Sequence, residues 1–563
     1  MTDLKRPEFP RRAAGWMRAG AVLAAGALAA FARPAAAQDD VLAREAVVAG
    51  SEAEAYLRTL QVAGQLPSHP WSLRGFAPRE MARLHPDSAH PWTSRTEERR
   101  PFARVSGGLL RPSARAAYNT GFAYGYNDGP VWRGRGVTVE AHAGATARVG
   151  PLSLRVEPVV FWAENREFAL MPNGRTGEQV YADGRSPRNI DLPQRFGDEA
   201  YARVDPGEST LRLDVAGFAL GASTAAQQWG PSRELPLILG NNAGGFAHVF
   251  AGTSSPWNTP IGRVHGRVLW GSVSQSDYSP MQGPGSRRFA TGMVAVWMPR
   301  GLNGLEIGGS RFFHLAWPED GLSSGYFTKI FEGITKASVD SSGVGTDGRS
   351  SPDNQLASVF ARWVFPRAGL EVYGEFARED HNYDLLDFAL EPDHQAGYTL
   401  GAARAWRPSP TRLASVRIEV QSTEPSTLAR VRRQPAFYRH DNALQGHTSR
   451  GQVLGSPFGY GGGGSIVAAD LYHPRGRWTA QWVRTRMGGT LAADSADVMH
   501  TLSAEGVFFR GPVDLVGGVA WSANLNRYNG GDAHNLNAQF GVRVGLGPGR
   551  ARPVRVDTFP ADR

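Results

Sequence analysis

The 563-residue chain contains no cysteine. That absence excludes disulfides, thiolate metal sites, iron–sulfur clusters, a cysteine nucleophile and lipidation on an N-terminal cysteine. Nowhere beyond residue 37 does the chain reach the ~18 consecutive apolar residues of a membrane-spanning helix. Charge of one sign is scarce as well, with 61 Lys+Arg against 52 Asp+Glu. Part of the +9 excess lies in residues 1–37, and the remainder of the chain is near +5. What is present is apolar and aromatic enough, at 41% and 10%, to rule out a solvated polar tail.

Residues 1–37 read as a secretory signal. Lys5, Arg6, Arg11, Arg12 and Arg18 form a basic start, and Ala19–Phe31 is an apolar stretch too short to span a bilayer. Ala35-Ala36-Ala37 supplies the small residues of a cleavage site. Residues 38–105 read as a small helical, Pro-containing module. Ser51-Glu52-Ala53-Glu54 is a capping box, and Ala53, Tyr56, Leu57 and Leu60 share one helical face behind it. Pro78 through Leu84 suggests a second short helix with proline in its first turn.

From about residue 112 the hydrophobic period becomes two. In Val137–Val149 the odd positions are Val, Val, Ala, Ala, Ala, Ala and Val, and the even ones are mostly polar. Leu536–Leu546, Val513–Leu525, Ala414–Val420 and Leu370–Phe376 alternate in the same way. Such segments run longer than an ordinary strand of ~5–6 residues. Their apolar face is often small, with aromatics toward the ends, as at Trp270, Trp297, Trp363, Trp406 and Trp521. The connections discriminate further. Tight joints such as Gly150-Pro151, Pro474–Gly476 and Gly511-Pro512 alternate with long polar stretches such as 165–209, 316–355 and 423–462. That asymmetry belongs to an outer-membrane barrel with short periplasmic turns and long external loops. About sixteen segments are visible, and one joint, 224–263, is too long where a short turn is due. Two weaker strands there would restore parity, so the expected fold is an all-β transmembrane barrel of 16–18 antiparallel strands, eighteen preferred. It would span 106–546, followed by a basic tail at 547–563 and preceded by the helical module as a plug.

Two stretches are family-like. One is Gln228-Trp229-Gly230-Pro231-Ser232-Arg233 with Leu237 through Phe246; the other is Pro352 through Ser358 followed by Gly369 through Glu375. With Tyr56-Leu57 and Met81 through Leu84, they resemble the Wzi-type capsule assembly family over nearly the whole exported chain. The resemblance implies an eighteen-stranded outer-membrane barrel, plugged on its periplasmic side, that helps retain capsular polysaccharide without catalysis. The tail Gly547–Arg563 departs from the aromatic strand end usual in that setting.

Several groups of residues carry possible chemistry. Trp229, Arg233, Asn241 and Asn242 offer a ring face, a fork of donors and two amides, which suits a saccharide. The same residues could equally pin a loop folded into the barrel. Arg430, Arg432, Arg433 and Arg439, with Phe437 and Tyr438, form a basic loop for anionic polysaccharide or lipopolysaccharide phosphate, or one with no dedicated partner; nucleic acid is not an expected partner of an exported barrel. Asp380, Asp384 and Asp387 fall at a spacing that a short helix would place on one face, a weak cation candidate beside a plain solvated loop. Gly343 through Gly348 and Gly321 through Gly325 match dinucleotide and hydrolase patterns only formally, and no cofactor is expected. The rival functions are a porin or substrate-specific channel, and an outer-membrane lipid or glycan hydrolase.

The cysteine-free background allows a direct test of topology. Single cysteines at Gly345, Arg433 and Asn529 should label with an impermeant maleimide on intact cells, and one at Gly511 should not. Reversed labelling would invert the orientation, and labelling at all four positions would exclude the barrel.

Overall fold

The computed structural model describes residues 47–81, 84, 89–93, 105–282, 286–331, 353–379, 385–432, 434–441, 443–487 and 497–544. The signal segment, the tail, Gly343 through Gly348, Arg433, Asp380 and Asp384 therefore lie outside the described residues.

Among the described residues, twenty-three strand segments join in one antiparallel sheet. Five passes are interrupted in mid-course and count as single strands, which leaves eighteen. In chain order these are β1 (105–119), β2 (136–149), β3 (152–163), β4 (201–215), β5 (Phe218–Ser223) and β6 (247–259). Next come β7 (Gly262–Val273), β8 (Arg288–Pro299), β9 (Leu305–Ala316), β10 (Asp353–Phe365), β11 (Leu370–Glu379) and β12 (Ala396–Ser409). The last six are β13 (Arg412–Ser422), β14 (Gly463–His473), β15 (Gly476–Met487), β16 (Asp497–Arg510), β17 (Val513–Leu525) and β18 (Ala533–Val544). Each pairs with its neighbours, and β1 also pairs with β18, from Ser113 opposite Arg543 to Asn119 opposite Asn537. The ring is closed, and among the described residues none of its eighteen strands is left with a free edge.

Short and long connections alternate without exception, the short ones running two to five residues. The expected pair of strands within 224–263 is corrected. Only β6 lies there, and 224–246 is a long connection. The other additional pass arises where 210–223 doubles back at Ala216-Gly217, both with positive φ (50° and 84°), the backbone of a two-residue hairpin. Alanine gives no warning of such a turn.

The outward face carries the apolar half of each alternation. Val519 and Phe540 are more than half exposed, whereas lumen-facing Thr501, Ser522 and Asn537 are buried. Five tryptophans mark the short-turn end, Trp257, Trp297, Trp363, Trp406 and Trp478. Three of them donate their indole N–H to a turn carbonyl, at Gly217 (2.7 Å), Ile261 (3.1 Å) and Asn303 (3.4 Å). They form the interfacial belt of a transmembrane barrel.

A ring of this size is wider than its own side chains can fill. The N-terminal segment occupies the lumen at the short-turn end. Helix α1 (Glu52–Val62) forms half of its expected capping box: Ser51 Oγ accepts from the Glu54 amide (3.3 Å), but Glu54 reaches back to the Gly50 amide (2.6 Å), one residue before the cap, while the Ser51 amide donates to Val48 O (3.2 Å). Its Tyr56, Leu57 and Leu60 pack with Trp71, Phe76, Met81 and Trp92, and with Leu413 and Tyr472 of the wall. Unlike a surface helix, α1 also buries its polar face, including Arg58 and Gln61, against that wall. The second helix, α2, is described over Pro78–Met81, and Ala82 and Arg83 lie outside the described residues. The long-loop end is filled from above. Leu237, Ile238 and Leu239 of 224–246 and Phe437, Tyr438 and Leu454 of 423–462 pack on Phe312, Leu356 and Phe360 of β9 and β10.

Leu502 faces outward and is 54% exposed, while Ser503 faces the lumen. Leu502→Arg should impair assembly by about 2–4 kcal/mol if it lies near the bilayer midplane, and Ser503→Arg should be tolerated. Heat-modifiable electrophoretic mobility reads this, and equal effects would reverse the assignment of faces.

Candidate functional site

The Gln228–Arg233 stretch turns into the lumen and meets the N-terminal segment. The Gly230 amide donates to Ser72 O (2.9 Å) and the Arg74 amide to Gln228 O (3.1 Å). Gly230 has a φ of 87°, and a Cβ there would lie 2.5 Å from the Glu375 carboxylate, so glycine is required. Trp229 is fully enclosed, its ring edge-on to Phe312 at 6.3 Å. No face of that ring is open to a saccharide.

Arg233 enters a charge network instead of facing solvent. Its Nη2 donates to Glu371 Oε2 (2.7 Å). Arg58 Nε donates to Glu371 Oε1 (2.9 Å), and Arg362 pairs with both Glu371 and Glu306. Glu306 accepts from the amides of Trp71 (3.0 Å) and Ser72 (3.2 Å). Glu419 of β13 accepts from the amides of Glu234 (2.9 Å) and Leu235 (3.1 Å) and from Tyr373 Oη (2.7 Å). Wall carboxylates thus define where the plug and the inward loop sit. Burial lowers His69 to about 3 and His90 to about 4, so both imidazoles are neutral inside the plug at neutral pH.

The two asparagines are structural in the same sense. Asn241 donates to Asn127 O (3.2 Å) and Asn242 to Val453 O (2.9 Å). Asn242 also lines a cavity of about 90 Å³ with Tyr124, Tyr126, Asp128, Arg133 and Gln452. That volume suits a few waters rather than a sugar ring.

The basic loop divides. Tyr438 is fully buried, its hydroxyl donating to Leu237 O (2.7 Å) and its ring stacked on His447. His447 donates to Ile238 O (2.6 Å), and burial lowers it to about 4. Arg439 donates to Ser186 Oγ (3.0 Å), and Arg432 pairs with Glu391. Arg430, the last residue of the turn Thr427–Arg430, is exposed. Of the acidic trio, only Asp387 falls in the described residues, on the short helix Leu385–Leu390. The serine pattern at 321–325 runs into a short helix, Ser324–Thr328, whose Tyr326 packs on Phe289 of the wall.

Sequence reasoning missed the groups that lock the long loops together. The Asp191 carboxylate accepts from the amides of Ser276 (2.7 Å) and Gly451 (3.2 Å), joining three loops, and burial raises its pKa. Asp183 accepts from Tyr460 Oη (2.7 Å). It also missed a half-exposed aromatic pair. The rings of Tyr181 and Tyr278 meet edge to face at 5.7 Å, and the Arg195 guanidinium lies 5.9 Å from the Tyr181 centroid. Each residue is ordinary alone, and only the fold brings 181 and 278 together.

The family model for capsule assembly protein Wzi matches residues 111–470. The solved structure of Wzi from Escherichia coli, described as a carbohydrate-binding β-barrel involved in group 1 capsule assembly, is 13% identical with a TM-score of 0.59. The match covers 89% of this chain and 100% of that one. OprD of Pseudomonas aeruginosa is 9% identical with a TM-score of 0.37, over 78% of this chain and 95% of that one. OccAB4 of Acinetobacter baumannii is 9% identical with a TM-score of 0.38, over 79% and 98%. No curated protein sequence matches the chain.

Glu371→Ala would leave three guanidinium groups around one missing carboxylate. Breaking a buried pair costs about 3–5 kcal/mol, so trypsin should release the 47–93 segment far faster while the barrel itself stays heat-modifiable. Unchanged protection would show that apolar packing alone seats the plug.

Proposed function

The chain belongs to the Wzi capsule assembly family, and on that premise we propose that it is a non-catalytic outer-membrane barrel whose long-loop face binds capsular polysaccharide and holds it at the cell surface. The observation that carries this reading is occlusion from both ends. The N-terminal segment is bonded to Glu306 and Glu371 below, and three long loops are bonded through Asp191 above. A lumen sealed in this way is unsuited to passing solutes, and its outer cap becomes a fixed surface.

That cap has the chemistry a charged glycan needs. Tyr181 and Tyr278 offer half-exposed rings for the CH faces of sugars, and Arg430 offers an exposed guanidinium. Arg432, Arg433 and Arg439 add charge from the same loop, toward sugar carboxylates or lipopolysaccharide phosphate. Trp229, Arg233, Asn241 and Tyr438 serve by holding that surface in place. The short-turn end faces the periplasm. Catalysis is not part of the reading, because the interior acids Glu306, Glu371 and Glu419 are engaged by plug and loop donors.

The test combines Tyr181→Ala, Tyr278→Ala and Arg430→Gln in one variant. Each exposed ion pair contributes at most about 1 kcal/mol, yet a polymer engages many such sites, so loss should be amplified through multivalency. The purified variant should retain acidic capsular polysaccharide at least about tenfold more weakly at low salt. Wild-type retention should fall toward 1 M salt, where the Debye length is about 3 Å. Failure of the wild type to retain any such polymer, or a large steady single-channel conductance, would overturn the reading in favour of a channel.

A further inference from the structure

On the outer wall at the short-turn end, β11, β12 and β13 enclose a groove of about 610 Å³. Its lining includes Leu370, Ala402, Arg404, Trp406, Val416 and Ile418. The register explains the hollow. Ala402 stands between Val372 and Ile418, so a single methyl group separates two branched neighbours and leaves a trough along the strand. Arg404 follows it on the same outward face, opposite Leu370 and Val416, and is exposed.

Unlike Arg404, Arg417 and Arg311 of the wall are held by partners within the chain. On the adjacent strand Arg417 points into the lumen and is held by Glu234 and Asp470. Arg311, outward at the long-loop end, donates to Gln355 Oε1 (2.9 Å). Among the described residues, no carboxylate or carbonyl takes the donors of Arg404. Along its own strand it lies two residues to the membrane side of Trp406, which belongs to the interfacial belt. A guanidinium at that depth is satisfied by an anion that arrives with an apolar body.

We propose that this groove holds one anionic phospholipid, with its phosphate on Arg404 and an acyl chain in the trough along Ala402 and Ile418. A phosphodiester presents paired oxygens that match the planar fork. Arg367, Arg407 and Arg412, exposed beside the two adjoining short turns, extend the positive rim and favour an anionic headgroup over a zwitterionic one. This site depends on the barrel alone and not on the polysaccharide reading.

Native mass spectrometry of the purified full chain in a non-ionic detergent, titrated with phosphatidylglycerol or phosphatidylethanolamine, tests it. One phosphatidylglycerol should be retained in preference. Arg404→Gln should weaken retention about fivefold; Ala402→Leu, which fills the trough and keeps the charge, should weaken it too; and Arg300→Gln, at a distant turn of the same rim, should not. Equal retention by wild type and Arg404→Gln, or an equal loss in Arg300→Gln, would overturn the site. So would a two-chain species that Ala402→Leu dissociates, since a second copy would then cover the groove. If Arg404→Gln does not assemble, Ala402→Leu decides alone, and undiminished retention overturns the proposal.

Discussion

Three guanidinium groups, Arg58, Arg233 and Arg362, converge on the single carboxylate of Glu371. They come from the N-terminal helix, the inward loop and the neighbouring strand, so one wall residue sets the position of three separate parts of the chain. A buried ion pair is a poor source of net stability but a strict one of position, because a shift that breaks it strands a charge away from water. Apolar packing supplies the bulk of the filling, through Tyr56, Leu60, Trp71 and their neighbours below and Leu237, Phe437 and Leu454 above. Such surfaces tolerate sliding. The charges do not.

The same logic runs up the wall. Glu306 receives the backbone at Trp71 and Ser72, Glu419 receives it at Glu234 and Leu235, and Glu379 receives it at Tyr438. Each carboxylate satisfies amides that an irregular segment would otherwise bury unpaired. A closed barrel can therefore carry non-regular chain through its centre without regular secondary structure there. The cap that results is held at its underside, and its outer face is left free to vary.

The barrel was legible because alternation and connection length are one-dimensional signals. Even the lumen side of Glu371, Tyr373 and Glu375 could be read from their register. The hairpin at Ala216-Gly217 was not, since nothing about alanine announces a positive φ, and its omission displaced a missing strand into 224–263. The fates of Trp229 and Arg233 were open for a different reason. Their partners, Phe312 and Glu371, lie far along the chain, and a Trp or Arg in a polar stretch reads alike whether it faces a ligand or a core. The tyrosine pair at 181 and 278 fails the same way, as two unremarked residues that only the folded loops bring together.

Glu52, at the start of α1, pairs with Arg543 on the final strand, and Arg477 on β15 approaches the same carboxylate. The final strand is also the one that meets β1 to close the ring. The first described helix is thus clasped by the last described strand, across the seam. The first helix therefore leans on the part of the wall where the ring closes, so its start and the seam are fixed to one another.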